Sequence, residues 1–175
     1  MKLLIWGVSN IEKTTIGKEL SNKLNCKFYD VDKEIIDIYG SIDNFQAIFT
    51  NDYDRFDEKE ELMMNVIESD NNDFIMAVSP IYSASVVEEL LDTDTISIEI
   101  VDTPEAIYDR LILEGDDALE YKEKHKKHYI QVIKWDQTAS YNQFKNIPKV
   151  HIDNQNINEA VETVYNYLKN NKIID

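Results

Sequence analysis

The chain has 175 residues, of which 43% are hydrophobic, and its 34 acidic against 18 basic side chains give a formal net charge of -16. This length and composition suit one domain with a substantial core. The charge excludes sequence-independent binding to nucleic acid or to anionic membranes, which requires a basic surface, and the single cysteine, Cys26, excludes an internal disulfide.

The first part of the chain is predicted to form a strand, a helix and a second strand. KLLIWGV (2 to 8) is almost continuously apolar, as is typical of a strand buried on both faces of a parallel sheet. A helix is predicted from Thr14 to Leu24, because its apolar residues recur at four-residue spacing. CKFYDV (26 to 31) then supplies the second strand.

Three helices are predicted between residues 33 and 70. The first ends at Gly40, and the second opens with Ser41 as its N-cap. The third runs from about Tyr53 to Glu68.

The second half of the chain continues this alternation. Strands are predicted over 73–79, 95–102 and 148–153, and the first of them stops at Pro80. Thr103 as N-cap, Pro104 at the first helical position and Gly115 beyond the end predict one helix over 103–115. Two more helices are predicted, SASVVEELL (83 to 91) and INEAVETVYNYL (157 to 168).

Residues 116–144 form a polar stretch rich in Lys, Glu and Tyr, helical in part, with no place in the predicted sheet. We interpret it as a lid. The alternation of strands and helices predicts one domain over residues 1–175, a three-layer α/β/α fold with a five-stranded parallel sheet.

The stretch GVSNIEKTT (7 to 15), between the first strand and helix, nearly matches the phosphate-binding motif GxxxxGK[ST]. In such loops backbone N–H groups hold phosphates, the lysine bridges the outer phosphates and the next hydroxyl binds Mg²⁺. Lys13 and Thr14 would take these two roles. The residues expected to surround the nucleotide are Gly7, Val8, Ser9, Asn10, Ile11, Glu12, Lys13, Thr14 and Thr15.

Glu12 occupies the position of the second glycine of the motif. A glutamate adds a side chain and a negative charge beside the phosphates, so nucleotide affinity should fall unless the carboxylate points outward. Two interpretations remain open: a working phosphate site, or a strand-helix turn that keeps only the shape.

The order of elements and four motifs resemble the shikimate kinase family, within the P-loop nucleoside monophosphate kinase-like enzymes. GVSNIEKTT falls on the phosphate loop of the family, and FYDVD (28 to 32) falls on its second-strand signature, an apolar pair followed by DxD. SIDNFQAIFTNDYDRFDEKEEL (41 to 62) and IEIVDTPEAIYDRL (98 to 111) resemble the segments that precede its long helix and its lid. The resemblance implies a P-loop kinase fold with a substrate-binding segment over about 33–70.

The resemblance also implies roles for four residues. Thr14 and Asp30 would hold Mg²⁺, and Asp32 would receive the hydroxyl that attacks the γ-phosphate, with Lys13 offsetting the developing charge. Aspartates at the carboxyl end of a strand lie where α/β sheets place their ligands. The alternative for Asp30 and Asp32 is a solvated strand end that caps a helix.

The resemblance breaks where the family binds its acceptor. Asp57 and Gln137 align with two substrate arginines, and VSP (78 to 80) aligns with a glycine triplet. Arg55 is a candidate replacement for the first arginine. Because arginine binds carboxylates bidentately, these changes predict an acceptor other than shikimate, and the acidic Asp57 would suit a neutral or cationic one.

These features favour an ATP- and Mg²⁺-dependent kinase that acts on a small-molecule hydroxyl. Two alternatives remain open: a non-catalytic descendant that binds nucleotide or another protein, and a nucleoside kinase. We expect no nucleic-acid or membrane partner, and a monomer or weak homodimer. Without a secretory leader or a long apolar run, we also expect a cytoplasmic protein.

Overall fold

Five parallel strands form the central sheet. Their bounds are Lys2–Trp6 (β1), Lys27–Asp30 (β2), Phe74–Ala77 (β3), Ile96–Val101 (β4) and Lys149–His151 (β5). The strand order is β2-β3-β1-β4-β5, which confirms the predicted five-stranded parallel sheet. The computed structural model describes residues 1–78, 86, 90, 93–113, 115 and 117–175.

Eight helices lie within the residues that the structure describes. Their bounds are Lys13–Leu24 (α1), Val31–Tyr39 (α2), Ile42–Ile48 (α3), Asp52–Ser69 (α4), Pro104–Arg110 (α5), Ala118–Lys124 (α6), Lys126–Gln143 (α7) and Ile157–Asn170 (α8). None of these eight is both long and apolar enough to cross a membrane. Pro80 and most of the helix predicted over 83–91 lie outside the described residues.

The helices cover both faces of the sheet, because successive strand residues point to opposite sides. In β1, Leu3 and Ile5 pack in one core cluster with α1 and α8. Leu4 and Trp6 pack in a second cluster with α2, α3 and α4. The predicted three-layer α/β/α architecture is therefore confirmed.

Side-chain caps define where two of the predicted helices begin. The Ser41 side chain accepts a hydrogen bond from the backbone N–H of Asn44 at the start of α3. The Thr103 side chain accepts one from Ala106 N–H at the start of α5, with Pro104 in the first turn. Both caps agree with the sequence-based prediction.

Helix α5 is shorter than predicted. It ends at Arg110, and Leu111 adopts an extended backbone with φ -62° and ψ 120°. Ile112 is 85% exposed, so extending the helix toward Gly115 would bury little apolar surface to offset its ordering. The prediction of one helix over 103–115 was therefore wrong at its end.

The polar stretch over 116–144 is mostly helical, and its end is fixed to the sheet. Ser140 of α7 donates a hydrogen bond to the buried carboxylate of Glu99 in β4. Phe144, just after α7, packs on Trp6 with ring centroids 4.7 Å apart. The end of α7 thus belongs to the core, and the lid stays a prediction for the residues before it.

Candidate functional site

The loop from residue 7 to residue 12 turns back on itself between β1 and α1. Gly7 has φ 146°, and a Cβ there would lie 2.8 Å from the carbonyl oxygen of Ile100, so only glycine fits without a shift. Asn10 and Glu12 also have positive φ, 60° and 69°. The loop therefore encloses a cavity at the N-terminus of α1, where backbone N–H groups favour an anion.

Glu12 keeps the left-handed backbone that a glycine would adopt at this point. Its ψ is 25° and it precedes the first residue of α1, and this conformation costs a non-glycine residue roughly 1–2 kcal/mol. Its side chain lies along the first turn of α1, where the Thr15 hydroxyl donates a hydrogen bond to Oε2 at 2.7 Å. The neighbouring Lys13 donates its hydrogen bond to the carbonyl oxygen of Val8, not to the Glu12 carboxylate.

The Lys13 ammonium lies over the loop and donates a hydrogen bond to the carbonyl oxygen of Val8 at 2.9 Å. Burial lowers the pKa of Lys13 to about 8, although Asp32 and Asp30 act to raise it and Lys59 lowers it further. At neutral pH the ammonium is therefore still charged. It is a desolvated cation facing the cavity that the loop encloses.

The second strand brings a carboxylate to the first turn of α1. Asp30 ends β2 and caps α2, with Oδ1 accepting from the backbone N–H groups of Asp32 and Lys33 at 3.0 and 3.2 Å. Its other oxygen, Oδ2, accepts from the Thr14 hydroxyl at 2.5 Å. The two residues expected to hold Mg²⁺ are thus in direct contact, and the capping role that the sequence left open is present as well.

The loop cavity, of about 330 Å³, is lined by Ser9, Asn10, Glu12, Lys13, Thr14, Asp30, Asp32 and Ala77. Its hydroxyl and carboxylate oxygens are the hard ligands that Mg²⁺ prefers. In the described part of the chain no group of three or more His, Cys, Asp or Glu could bind a metal. In the usual Mg²⁺ site of kinases one or two protein oxygens act with phosphates and water, and the adjacent oxygens of Thr14 and Asp30 fit that donor set.

A second cavity, the helical cavity, lies against α3 and α4. It has a volume of about 290 Å³ and is lined by Asp32, Ile42, Phe45, Gln46, Arg55, Phe56 and Lys59. Asp32 is half-exposed and lines both this cavity and the loop cavity. A group bound in the helical cavity therefore meets the same carboxylate as a group bound in the loop cavity.

Lys59 was not predicted from the sequence, yet it forms an ion pair with Asp32 in which Nζ lies 3.2 Å from Oδ1. Its four-residue spacing from Arg55 places both cations on one face of α4. That spacing is the signal that could have identified it. Asp57, the residue that was predicted, is exposed and is not among the described residues that line the cavity.

Arg55 lines the helical cavity, but its guanidinium holds the turn between α3 and α4. Nε donates to Phe49 O at 2.6 Å, and the terminal nitrogens donate to Gln46 O, Thr50 O and the Asp52 carboxylate at 3.0 to 3.4 Å. Binding a ligand through these nitrogens would release the turn.

A third cavity, the edge cavity, of about 590 Å³, lies on the other side of the loop beside β4 and β5. Val8 and Ile11 of the loop line it, together with Asp102, Gln137 and Asp153 among other residues. Gln137 donates from Nε2 to the carbonyl oxygen of Asp102 at 2.7 Å. The structure therefore places Gln137 in the edge cavity rather than among the residues that line the helical cavity.

A family model for shikimate kinase matches residues 11–169 of the chain. The chain belongs to the shikimate kinase family. Its structure is similar to those of the shikimate kinases from Aquifex aeolicus vf5, with 19% sequence identity, 98% of both chains covered and a TM-score of 0.73, and from Bacteroides thetaiotaomicron, with 17% identity, 98% of both chains covered and a TM-score of 0.74.

The fold is shared more widely. A gluconokinase from Sinorhizobium meliloti 1021 is 12% identical, with 98% of this chain and 95% of that chain covered and a TM-score of 0.58. A search of curated protein sequences found no match. Compared with the phosphate-binding motif GxxxxGK[ST], this member of the family has Glu12 in place of the second glycine.

Proposed function

We propose that this member of the shikimate kinase family transfers the γ-phosphoryl group of ATP to the hydroxyl of a small molecule other than shikimate. The position of Asp32 is the observation that carries the proposal. Because Asp32 lines both the loop cavity and the helical cavity, an acceptor in the helical cavity would present its hydroxyl to that carboxylate beside the phosphates.

The residues of the loop would bind the phosphates. The backbone N–H groups at the N-terminus of α1 and the charged Lys13 would offset their charge, and Thr14 and Asp30 would hold Mg²⁺. Val8 and Ile11 in the edge cavity offer an apolar surface for the nucleoside.

Asp32 would orient the acceptor hydroxyl and receive its proton. With Mg·ATP bound, the acceptor oxygen would form a bond to the γ-phosphorus while the bond from that phosphorus to the β-phosphate oxygen breaks, so that ADP leaves. The Lys59 ammonium at 3.2 Å would keep the Asp32 carboxylate in place between the two cavities.

Three positions argue against shikimate as the acceptor. Asp57 and Gln137 replace cations with an anion and an amide, and the Arg55 guanidinium is bonded to the turn between α3 and α4. A carboxylate acceptor would thus lack the bidentate arginine contacts that stabilise it best.

A second candidate function is nucleotide binding without catalysis. The Glu12 carboxylate favours it, because Glu12 lines the loop cavity and carries the same sign of charge as a phosphate. Its hydrogen bond with Thr15 at 2.7 Å favours the kinase instead, since it holds the carboxylate away from Lys13.

Phosphoryl transfer to a panel of small alcohols tests the proposal. ADP formation is measured with Mg·ATP and each alcohol, and phosphorus NMR identifies the ester formed. We expect alcohol-dependent turnover that falls on the order of a hundredfold or more in Asp32→Asn, because the hydroxyl loses its proton acceptor. Asp37→Asn, an exposed position on α2, is the matched control. Mg·ATP binding with no ester from any alcohol would favour the non-catalytic alternative.

A further inference from the structure

The described wall of the helical cavity is apolar and firmly packed. Ile42, Phe45 and Phe56 supply its hydrocarbon surface. Phe45 is 2% exposed, and its ring packs at a tilt against those of Tyr39 and Phe49, with centroid distances of 5.4 and 5.1 Å. Such a wall suits the apolar face of a compact ring and resists reshaping.

The charged groups among the described lining residues are already paired. Lys59, whose side chain is 17% exposed, lies 3.2 Å from Asp32. Arg55 is 26% exposed and donates to three backbone carbonyl oxygens and to the Asp52 carboxylate. The two cations are therefore committed to the protein itself.

This pairing selects against charged ligands. A carboxylate could bind only by drawing Lys59 from Asp32 or Arg55 from its carbonyls, and each exchange leaves a partly buried polar group without its partner. An ammonium would meet like-charge repulsion from Lys59 and Arg55, which both line the cavity. An uncharged ligand leaves every pair intact.

We infer that the acceptor of this protein is an uncharged alcohol with a ring-sized apolar face, an inference that rests on the proposed function for the role of the cavity. The ring packs against Phe45 and Phe56. Lys59 donates a hydrogen bond to Oδ1 of Asp32. The acceptor hydroxyl therefore donates to the other carboxylate oxygen, Oδ2. The Gln46 side chain, on the same cavity, offers a neutral hydrogen-bonding group for a further hydroxyl. Lys59 is thus a specificity-determining residue that excludes anions while it is paired.

The test compares two ring alcohols of nearly the same size, 3-hydroxycyclohexanemethanol, which is neutral, and 3-hydroxycyclohexanecarboxylate, which is an anion. Their dissociation constants are measured by NMR titration of the full chain, with and without Mg·ADP. We expect the neutral alcohol to bind about tenfold more tightly or better, since the carboxylate must break an existing pair.

Two variants make the expectation specific. In Asp32→Asn, the ion pair between Lys59 and Asp32 is removed together with the negative charge that repels an anion, so the preference for the neutral alcohol should shrink about tenfold. In Lys59→Gln, Asp32 loses the countercharge of Lys59 and repels the carboxylate more strongly, so the preference should grow. Circular dichroism and thermal unfolding confirm that both variants are folded, as expected for a half-exposed ion pair.

Each outcome decides the inference. Equal or tighter binding of the carboxylate, or a preference that Asp32→Asn leaves unchanged, overturns it, and so does the failure of both alcohols to bind at tens of millimolar. The proposed function is judged separately by Mg·ATP binding that depends on Lys13. If the protein does not bind Mg·ATP but still prefers the neutral alcohol, the proposed kinase function is refuted. The inference that the helical cavity binds an uncharged ring alcohol is then retained.

Discussion

Glu12 and Lys13 are neighbours in the loop, and their charges have opposite effects on phosphate binding. Glu12 lines the loop cavity as an anion, with its carboxylate bonded to Thr15. Lys13 faces the same cavity as a cation, and burial lowers its pKa to about 8. If the loop binds a nucleotide as proposed, its affinity should reflect the balance of these two charges.

Replacing Glu12 should strengthen Mg·ATP binding. Glu12→Gln removes the negative charge and keeps the size of the side chain, and Glu12→Gly also restores the glycine that suits φ 69°. Because like charges a few ångströms apart repel, we expect both variants to bind Mg·ATP about tenfold more tightly or better. Titration calorimetry measures the change. Unaltered affinity in Glu12→Gln would mean that the carboxylate does not reach the phosphates.

The affinity for Mg·ATP should fall with rising pH. Only the protonated Lys13 offsets phosphate charge, and its pKa of about 8 means that the free protein loses this charge as the pH rises through 8. The dissociation constant should therefore rise roughly tenfold between pH 7.5 and pH 9. Lys13→Arg is the control, because a guanidinium stays charged over this range. The same slope in Lys13→Arg would assign the effect to another group.

The same pKa shift has a consequence for folding. The pKa of Lys13 lies below the ordinary lysine value of 10.5, so burying the charged ammonium destabilises the fold at pH values below 8. This cost is relieved as the pH rises from 8 toward 10.5, because the unfolded chain then binds the proton better than the folded one. The loop thus keeps a cation at a cost to stability, as binding sites commonly do.

Among the secondary-structure elements, α7 is bonded to the sheet through a buried carboxylate near its end. Glu99 of β4 accepts from Ser140 of α7 and forms an ion pair with Lys149 of β5 at 2.7 Å. Lys149 also donates to the carbonyl oxygens of Phe144 and Ile147. This network joins two strands and the helix that carries Gln137 into the edge cavity.

Removing one partner of the ion pair between Glu99 and Lys149 should destabilise the fold more than replacing both partners together. Glu99→Gln leaves Lys149 without its countercharge, which for a buried pair costs about 3 kcal/mol in the free energy of unfolding. The double variant with Lys149→Met should cost less than the sum of the two single changes, since neither charge is left alone. Urea unfolding measures all four proteins, and strictly additive effects would contradict the account.

Across the whole molecule, the three cavities described above lie along the edge of the sheet that is formed by the carboxyl ends of the strands. The helical cavity shares Asp32 with the loop cavity, just after β2, and the edge cavity adjoins the loop beside β4 and β5. The loop follows β1, where chain connections diverge to the two sides of the sheet. α/β folds bind their ligands at this point, so nucleoside, phosphates and acceptor would lie in a row.

Much of this arrangement follows from local sequence. Apolar runs such as KLLIWGV identify buried parallel strands, and Lys13, Thr14, Asp30 and Asp32 are recognisable because they fall in two short local motifs, GVSNIEKTT and FYDVD. Lys59 was missed, since its contact with Asp32 spans 27 residues and depends on how α4 packs. The position of Gln137 likewise depends on how α7 docks. The early end of α5 accompanies an exposed Ile112 side chain, which the apolar sequence of this segment did not indicate.

Binding of Mg·ATP, measured by titration calorimetry at pH 7 and moderate salt, tests whether the loop is a working phosphate site despite Glu12. The wild-type chain is compared with Lys13→Ala and with Lys18→Ala, an exposed lysine on α1. We predict micromolar binding by the wild type and by Lys18→Ala, with a loss of about a hundredfold in Lys13→Ala. No binding at millimolar ATP, or equal binding by all three proteins, would contradict the account.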